Sequence, residues 1–401
     1  MKRCKVALIG VGGFGASHVS AAETLAEEGL VEIIAFAEPR SEAEAVADLQ
    51  GRGARHYTDY REMFAREESL NAVCIATPIP QHFPMTMAAF ERGLHVFLEK
   101  PPAVRIQDLR TMMEFQEKKD LFCAVGFGDI ARPAAVALKH RLCQGALGKI
   151  KSIYAECRWQ RPHDYFTRSS WAGQTVLGSD YILDGPMNNA ASHVLNMAAY
   201  LSACEPHEFA QPLWVQGELY RANDIAAEDT NCLRAEMETG VTICYHSTLC
   251  ATTNHPRSWT IIGEKGTARL DDTDGATVLG EPIPIVEREH TTTMLFRRLI
   301  EVIQGSDEAL FMPLADAESH LLMSNGAYES SGTIHAIPAK YLREEQTHDG
   351  RVATVLDGID RAMLDAAQEG KLLSESGIPW AVPTKPFDLN NYKDFPQRWH
   401  D

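Results

Sequence analysis

The stretch KVALIGVGGFGASHV, Lys5 to Val19, leaves this chain few folds to adopt. A short apolar run, Lys5 to Ile9, stops at GVGGFG, Gly10 to Gly15. A helical pattern follows, with Val19, Ala22, Leu25 and Ala26 on one face. VEIIAFAE then reads as a second buried strand ending at Glu38. Strand, glycine turn, helix and strand in that order open a dinucleotide-binding unit. Gly10 permits the tight turn, Gly12 lets the backbone approach a pyrophosphate, and Gly15 lets helix and strand pack closely. The helix N-terminus offers unpaired N–H groups and a favourable dipole to the phosphates. Glu38, 23 residues beyond Gly15, can accept hydrogen bonds from an adenosine ribose. It favours NAD because a carboxylate repels a 2′-phosphate, while Arg40 would admit NADP.

The alternation continues as far as residue 128. NAVCIA, Asn71 to Ala76, is a strand closed by TPIPQH, and HVFLEKPPAV is another, closed by two prolines. Parallel α/β units bind ligands at the carboxyl ends of their strands. The glycine turn, Thr77 and Lys100 all fall at such ends and are expected to face one crevice.

The 401 residues favour two domains, expected here at 1–128 and 129–401. Against 38 Lys and Arg stand 55 Asp and Glu, a formal charge of -17, which argues against a nucleic-acid or anionic-membrane partner. Nine scattered cysteines without a CxxC read as free thiols in a reducing compartment. No cleavable leader is evident and no apolar run reaches the roughly 18 residues of a membrane span, so the expected location is cytoplasmic. Neither HxH nor HExxH occurs near the candidate site, and no metal is expected.

Beyond Asp129 the grammar changes. KSIYAECRWQ, PLWVQGELYRA, NCLRAEMETGVTICYHSTL and RSWTIIGEKGTARLDD read as long strands and hairpins without intervening helices. They suggest a mostly antiparallel sheet with helices on one face, its other face covered by a partner subunit in a homodimer or homotetramer. Between the first two strands, Arg158, Arg161, His163, Asp164, Tyr165, Arg168 and Trp171 crowd into 14 residues of loop, a pattern of binding surfaces. NNAASHVLNMAAYL then turns helical, setting Asn189 and His193 four apart on one face. Histidine suits proton transfer with a carbinol near neutral pH.

GVGGFG, TPIPQH (Thr77 to His82), EKP (Glu99 to Pro101) and ALGKI together resemble the glucose-fructose oxidoreductase / inositol dehydrogenase family over essentially the whole chain. The resemblance implies an N-terminal Rossmann domain and a C-terminal α+β domain built on a large, mostly antiparallel open sheet. It implies NAD contacts, with NADP as the alternative, from Gly10, Gly12, Gly13, Phe14, Gly15, Glu38, Arg40, Ala76, Thr77, Pro78, His82, Glu99 and Lys100. In that family the EKP lysine contacts nicotinamide and the substrate hydroxyl, and a helix carries an Asp with a His four residues later. The His matches His193, but the Asp falls on Asn189, and LDGPMNN replaces the usual glycine-rich run. Asn carries no titratable acceptor and cannot be a general base. Lys100 and His193 are therefore the expected catalytic residues. Substrate contacts are expected from Lys100, Arg161, His163, Tyr165, Arg168, Trp171, Asn189, His193 and His255.

The implied reaction is hydride transfer between NAD(P) and a secondary hydroxyl of a small-molecule sugar, polyol or glycoside. Related branches cleave glycosides through transient C3 oxidation and elimination; His163, Tyr165, His246 and His255 could supply the extra acid and base. A nucleotide sensor or scaffold without turnover is a third reading, suggested by Asn189.

Overall fold

The computed structural model describes residues 3–400 apart from 43, 206, 274, 287 and 288. Two compact units divide the chain: Met1–Ala103 with Gln107–Arg132 and Glu287–Ala317, and Val104–Ile106 with Pro133–Val286 and Glu318–Asp401. The cut expected after residue 128 falls after Arg132, and the helix Thr291–Ile303 belongs to the first unit instead of the second. Its apolar face explains why. Phe296 stacks on Phe97 of the first unit's sheet with centroids 5.0 Å apart, and Arg297 pairs with Glu28.

The first unit is built on six strands in the order Arg55–Tyr57, Val31–Ala37, Cys4–Ile9, Ala72–Ile75, His95–Leu98, Cys123–Val125. Every pairing is parallel. The central strands are apolar and buried almost throughout, as strands sandwiched between helices must be. Chain order reverses between Cys4–Ile9 and Ala72–Ile75, and a ligand crevice forms outside the carboxyl ends at such a switch point. The turn at Gly10, the segment from Ala76 and the pair Glu99–Lys100 follow those ends.

The second unit carries a ten-stranded sheet. From Glu281–Pro282 it runs through Ala276–Val278, Gly266–Asp271, Ser258–Gly263, Ile150–Arg158, Thr242–Thr248, Thr230–Met237 and Pro212–Arg221 to His335–Ala336. Phe387–Asp388 adds to Pro212–Arg221. The sheet is mixed: Thr242–Thr248 lies parallel to Ile150–Arg158, and His335–Ala336 parallel to Pro212–Arg221, with antiparallel pairing elsewhere. One face holds the helices Ser192–Ser202 and Glu318–Ser331. Trp259 Nε1–H donates to Val194 O at 2.9 Å, and a Cβ at Gly217 would stand 2.6 Å from that of Ala327.

Over part of the opposite face, where a partner subunit was expected as cover, the chain supplies its own. The same chain's C-terminal segment lies across it. Ile359, Met363 and Ala366 of the helix Ile359–Glu369 join Leu372 and Leu373 in one apolar cluster with Tyr220 and Cys232 of the sheet. Polar anchors run the length of the strap. His246 Nε2 lies 3.0 Å from Lys371 O, Arg234 forks onto Glu375 at 2.9 Å, and Gln216 Nε2–H donates to Thr384 O at 2.8 Å. Buried Glu218 accepts from Ser374 N–H at 3.1 Å, Ser374 Oγ–H at 2.5 Å and Tyr220 O–H at 2.8 Å. Both faces over these strands are thus covered from within, so no partner subunit is needed over them. Among the described residues no helix is long and apolar enough to cross a membrane.

Glu218→Ala removes the acceptor of the Ser374 N–H and the shorter of the two acceptors of Tyr220 O–H, at a cost of roughly 1–3 kcal/mol. Thermal denaturation should report a lower Tm, and limited proteolysis should cut near Ser374 in the variant before the wild type. Equal protease resistance would show that the strap does not depend on this carboxylate.

Candidate active site

Gly10 has φ of 80°, and a Cβ there would overlap Ala76 O, so neither the turn nor the neighbouring strand end tolerates a side chain. Its N–H donates to Ala37 O at 3.0 Å. A Cβ at Gly15 would in turn overlap Gly10 O. Among the described residues the N–H groups of Gly12, Gly13 and Phe14 meet no acceptor. Three successive donors at the start of the helix Gly15–Glu27 suit a pyrophosphate.

Buried Glu38 holds this turn from below. Its Oε2 accepts the Val11 N–H at 3.2 Å, and its Oε1 accepts the Arg40 N–H at 3.2 Å and Nε–H at 3.0 Å. Burial pushes its pKa up, but the bonds from Arg40 and Val11 outweigh burial and hold the carboxyl below its ordinary value. Arg40 reaches across the turn, so that a Cβ at Gly12 would stand 2.6 Å from Arg40 Nη2. The two residues expected to decide between NAD and NADP therefore contact each other. Arg40 borders a cleft of about 520 Å³ lined also by Val11, Gly13, Ala16 and Asp48.

At the other strand ends, the Ala76 N–H donates to Ile9 O at 2.9 Å, and Pro78 precedes the short helix Ile79–Gln81. Buried His82 bridges two carbonyls, with Nδ1 2.7 Å from Pro101 O and Nε2 2.8 Å from Thr77 O. It braces the TPIPQH turn against the residue following Lys100. Glu99 lies beneath, its Oε2 3.1 Å from His18 Nε2. Burial raises the Glu99 carboxyl to about 7 against the pull of Lys100, and burial lowers His18 to about 4. His18 is thus neutral at physiological pH.

In the second unit one buried carboxylate organises the loop between the first two strands. Asp184 accepts from Arg168 Nη2–H at 3.3 and 3.1 Å, from Gly173 N–H at 2.8 Å and from Asn189 Nδ2–H at 2.6 Å. Burial raises its pKa, opposed by these donors. Asn189 does not share a helix face with His193. The helix starts at Ser192, and Asn189 sits in the preceding turn with its N–H on Gly185 O at 3.0 Å. Gly185 cannot carry a side chain, because a Cβ would overlap the carboxyl of Glu228. Fully buried Glu228 accepts from Tyr328 O–H, and burial raises it to about 8. His193 occupies the first turn of the helix and is half-buried.

A cleft of about 730 Å³ is lined by Arg161, Tyr165, Arg168, Asn254, His348 and Arg351, among others. Arg168 lies over the rings of Tyr165 and Trp171, at 4.1 and 4.8 Å from their centroids. The remaining expected histidines are held by the strap and by a small hairpin, Leu342–Gln346 with Val352–Leu356. His163 Nε2 lies 2.9 Å from Thr354 Oγ1, and His255 Nε2 lies 3.0 Å from Asp360 Oδ1. His246 is a core residue lowered to about 4 by burial. Asp184, Glu228, Tyr328, Asn254 and Arg351 escape a reading of the sequence. Of these only Asp184, in the DGP that precedes the helix, lies close enough in sequence to Asn189 to be suspected.

Residues 4–127 match the family described as "Oxidoreductase family, NAD-binding Rossmann fold", and residues 135–269 match the "GFO/IDH/MocA C-terminal domain". The chain belongs to the GFO/IDH/MocA family. Its first unit is an NAD-binding Rossmann domain. A levoglucosan dehydrogenase of Pseudarthrobacter phenanthrenivorans is 30% identical over 166 residues, 40% of this chain and 41% of that protein. A D-apiose dehydrogenase of Paraburkholderia graminis is 27% identical over 67% of this chain and 68% of its own length. The chain thus spans less than half of the former relative. Among solved structures, the WlbA dehydrogenase from Bordetella pertussis, in complex with NADH and UDP-GlcNAcA, superposes with a TM-score of 0.71. It is 22% identical, with 82% of this chain and 96% of that one covered, so the likeness is one of fold.

The contact between Glu38 and Arg40 gives a direct test of the expected preference for NAD. Arg40→Ala should free the carboxylate and raise the preference for NAD over NADP by roughly tenfold, about 1.4 kcal/mol. Glu38→Ala should shift it the opposite way. Titration calorimetry of the cofactor-free protein with both nucleotides reads the ratio.

Glu228 gives a pH dependence of opposite sign to an ordinary carboxylate. Its folded pKa of about 8 lies above the ordinary 4.5, so the folded state binds the extra proton between those values. Stability from this group is present at low pH and is lost as pH rises from the ordinary value through the folded one. Glu228→Gln should flatten the decline of Tm between about pH 5 and 8. An unchanged slope would show that Glu228 titrates normally.

Proposed function

We propose that this protein is an NAD-dependent oxidoreductase that interconverts a secondary alcohol and a ketone on a carbohydrate or polyol. The observation that carries this reading is the glycine turn with its three unsatisfied N–H donors above a buried, ionised Glu38, in a chain of this family. The cofactor supplies a hydride acceptor or donor at its nicotinamide ring. The residues of the chain do the rest. Lys100, following the strand His95–Leu98, places a cation beside the reacting hydroxyl and lowers the cost of removing its proton. His193 accepts or relays that proton as the carbinol C–H is lost as hydride, and returns it in the reverse direction. Asn189, anchored on Asp184, orients substrate or His193 by hydrogen bonding and exchanges no proton.

The glycoside-cleaving alternative needs additional acids and bases. The histidines named for that role are engaged with Thr354, Lys371 and Asp360, which weighs towards simple oxidation and reduction.

Lys100→Ala and His193→Ala should each lower kcat by roughly 100-fold or more while leaving NAD affinity nearly unchanged, because proton-transfer groups act mainly in the transition state. Asn189→Ala should cost less, and Asn189→Asp should be tolerated. Stopped-flow reduction of bound NAD at several pH values measures this once sugars and polyols have been screened. Wild-type hydride transfer in His193→Ala would remove that residue from the mechanism. Release of a glycoside's aglycone without net NADH would favour the cleaving reaction instead.

A further inference from the structure

The cleft beside Asp184 contains a cation that no carboxylate among the described residues neutralises. Arg161 lies over two aromatic rings, its guanidinium 4.5 Å from the Trp159 centroid and 5.6 Å from that of Tyr165. Its Nη1 donates to Gln160 O at 3.1 Å and Asn254 Oδ1 at 3.2 Å, both neutral acceptors. Its neighbours in the cleft are differently placed. Arg168 is paired with Asp184, and Arg351 with Asp164 and Asp349. Among the described residues Arg161 meets no carboxylate, and its Nε and Nη2 donors meet no acceptor. These form the edge of a guanidinium that forks onto two oxygens of a carboxylate or phosphate.

Electrostatics point the same way. Burial lowers the Arg161 pKa, and the charges of Arg168 and Arg351 lower it further. Arg168 and Arg351 are balanced by Asp184, Asp164 and Asp349, so the half-buried guanidinium that stands to gain from an entering anion is that of Arg161. The aromatic walls fix the plane of the guanidinium, so the unused edge has a defined direction instead of sweeping through solvent.

We propose that this cleft binds the anionic group of an acidic carbohydrate, a carboxylate or a phosphate, on the Nε–Nη2 edge of Arg161. The proposal rests on the reading of the protein as a carbohydrate oxidoreductase and names the class of its substrate.

The test uses the NAD-loaded protein and four probes: D-glucuronate, D-gluconate, D-glucose 6-phosphate and D-glucose. Binding is followed by calorimetry and by the fluorescence of Trp159 and Trp171. At least one anionic probe should bind at least tenfold more tightly than glucose, with affinity falling as salt rises. The uronate and aldonate against the phosphate distinguish the two anion types. Arg161→Gln should abolish that preference while NAD affinity and Tm stay near wild type. Arg161→Lys should retain part of the binding, keeping the charge but losing the fork. Glucose binding as tightly as every acid, no anionic probe binding at millimolar concentration, or an undiminished preference in Arg161→Gln would each overturn the inference. Turnover separates the two readings. Acid binding through Arg161 without any NADH formation would sink the oxidoreductase reading and leave this one. NADH formation from neutral sugars with no preference for acids would do the reverse.

Discussion

The second unit's loop depends on one buried carboxylate. Asp184 is held out of water, where an unpaired charge would be costly, and it is therefore surrounded by donors from three segments: Arg168, the backbone at Gly173, and Asn189. Each donor does something further. Arg168 forms one wall of the cleft and stacks on Tyr165 and Trp171. Gly173 lies in the turn after Trp171 that the Gln174 N–H closes on Trp171 O, and its own carbonyl accepts from the N–H groups of Ala226 and Ala227. Asn189 ends the irregular run from which the helix of His193 starts. Aim of the cleft and start of the helix are thus set by the same charge. Removing Asp184 would leave Arg168 without its carboxylate and Asn189 without its acceptor.

This arrangement bears on the absence of an acid at position 189. An Asn there looks like a catalytic group lost when only the sequence is considered. In the fold, its amide donates to an acid five residues earlier, which an Asp at 189 could do only if one of the two were protonated. The amide is therefore the residue type that keeps Asp184 charged and its partners in place. Glu228, packed over Gly185 and kept protonated by burial at neutral pH, adds no second negative charge to the same region.

What could be read from the sequence follows from locality. The glycine turn, the strands that flank it and the two hairpins through Gly240 and Gly266 are set by residues near one another in the chain, and all are found in the structure. Gly240 and Gly266 adopt φ of 74° and 139°, the kind of backbone their turns need. The strap over the sheet was not legible in the same way. Its helix carries a readable stripe, Ile359, Met363 and Ala366, bounded by Gly358 and Gly370, but nothing local says which face of which sheet it covers. The same limit applies to Arg161. Its place in a crowded basic loop was visible, while its lack of a carboxylate emerges only when Asp164 is seen to pair with Arg351 from the distant hairpin.

Around the strand ends of the Rossmann unit, burial acts on several titratable groups in one direction. His18 is driven towards its neutral form, and Glu99 titrates near neutrality instead of standing fully ionised. The shared cause is desolvation, which disfavours whichever form is charged. The consequence falls on Lys100. A fully ionised Glu99 directly before it would screen its positive charge, and protonated histidines nearby would add to it. Below about pH 7 a protonated Glu99 offsets the lysine's charge less than an ionised one would. A rise in pH through about 7 ionises Glu99 and begins to offset that charge. The pair Glu99–Lys100 is in this sense one electrostatic element: the buried acid modulates the field of the lysine and is itself held by His18.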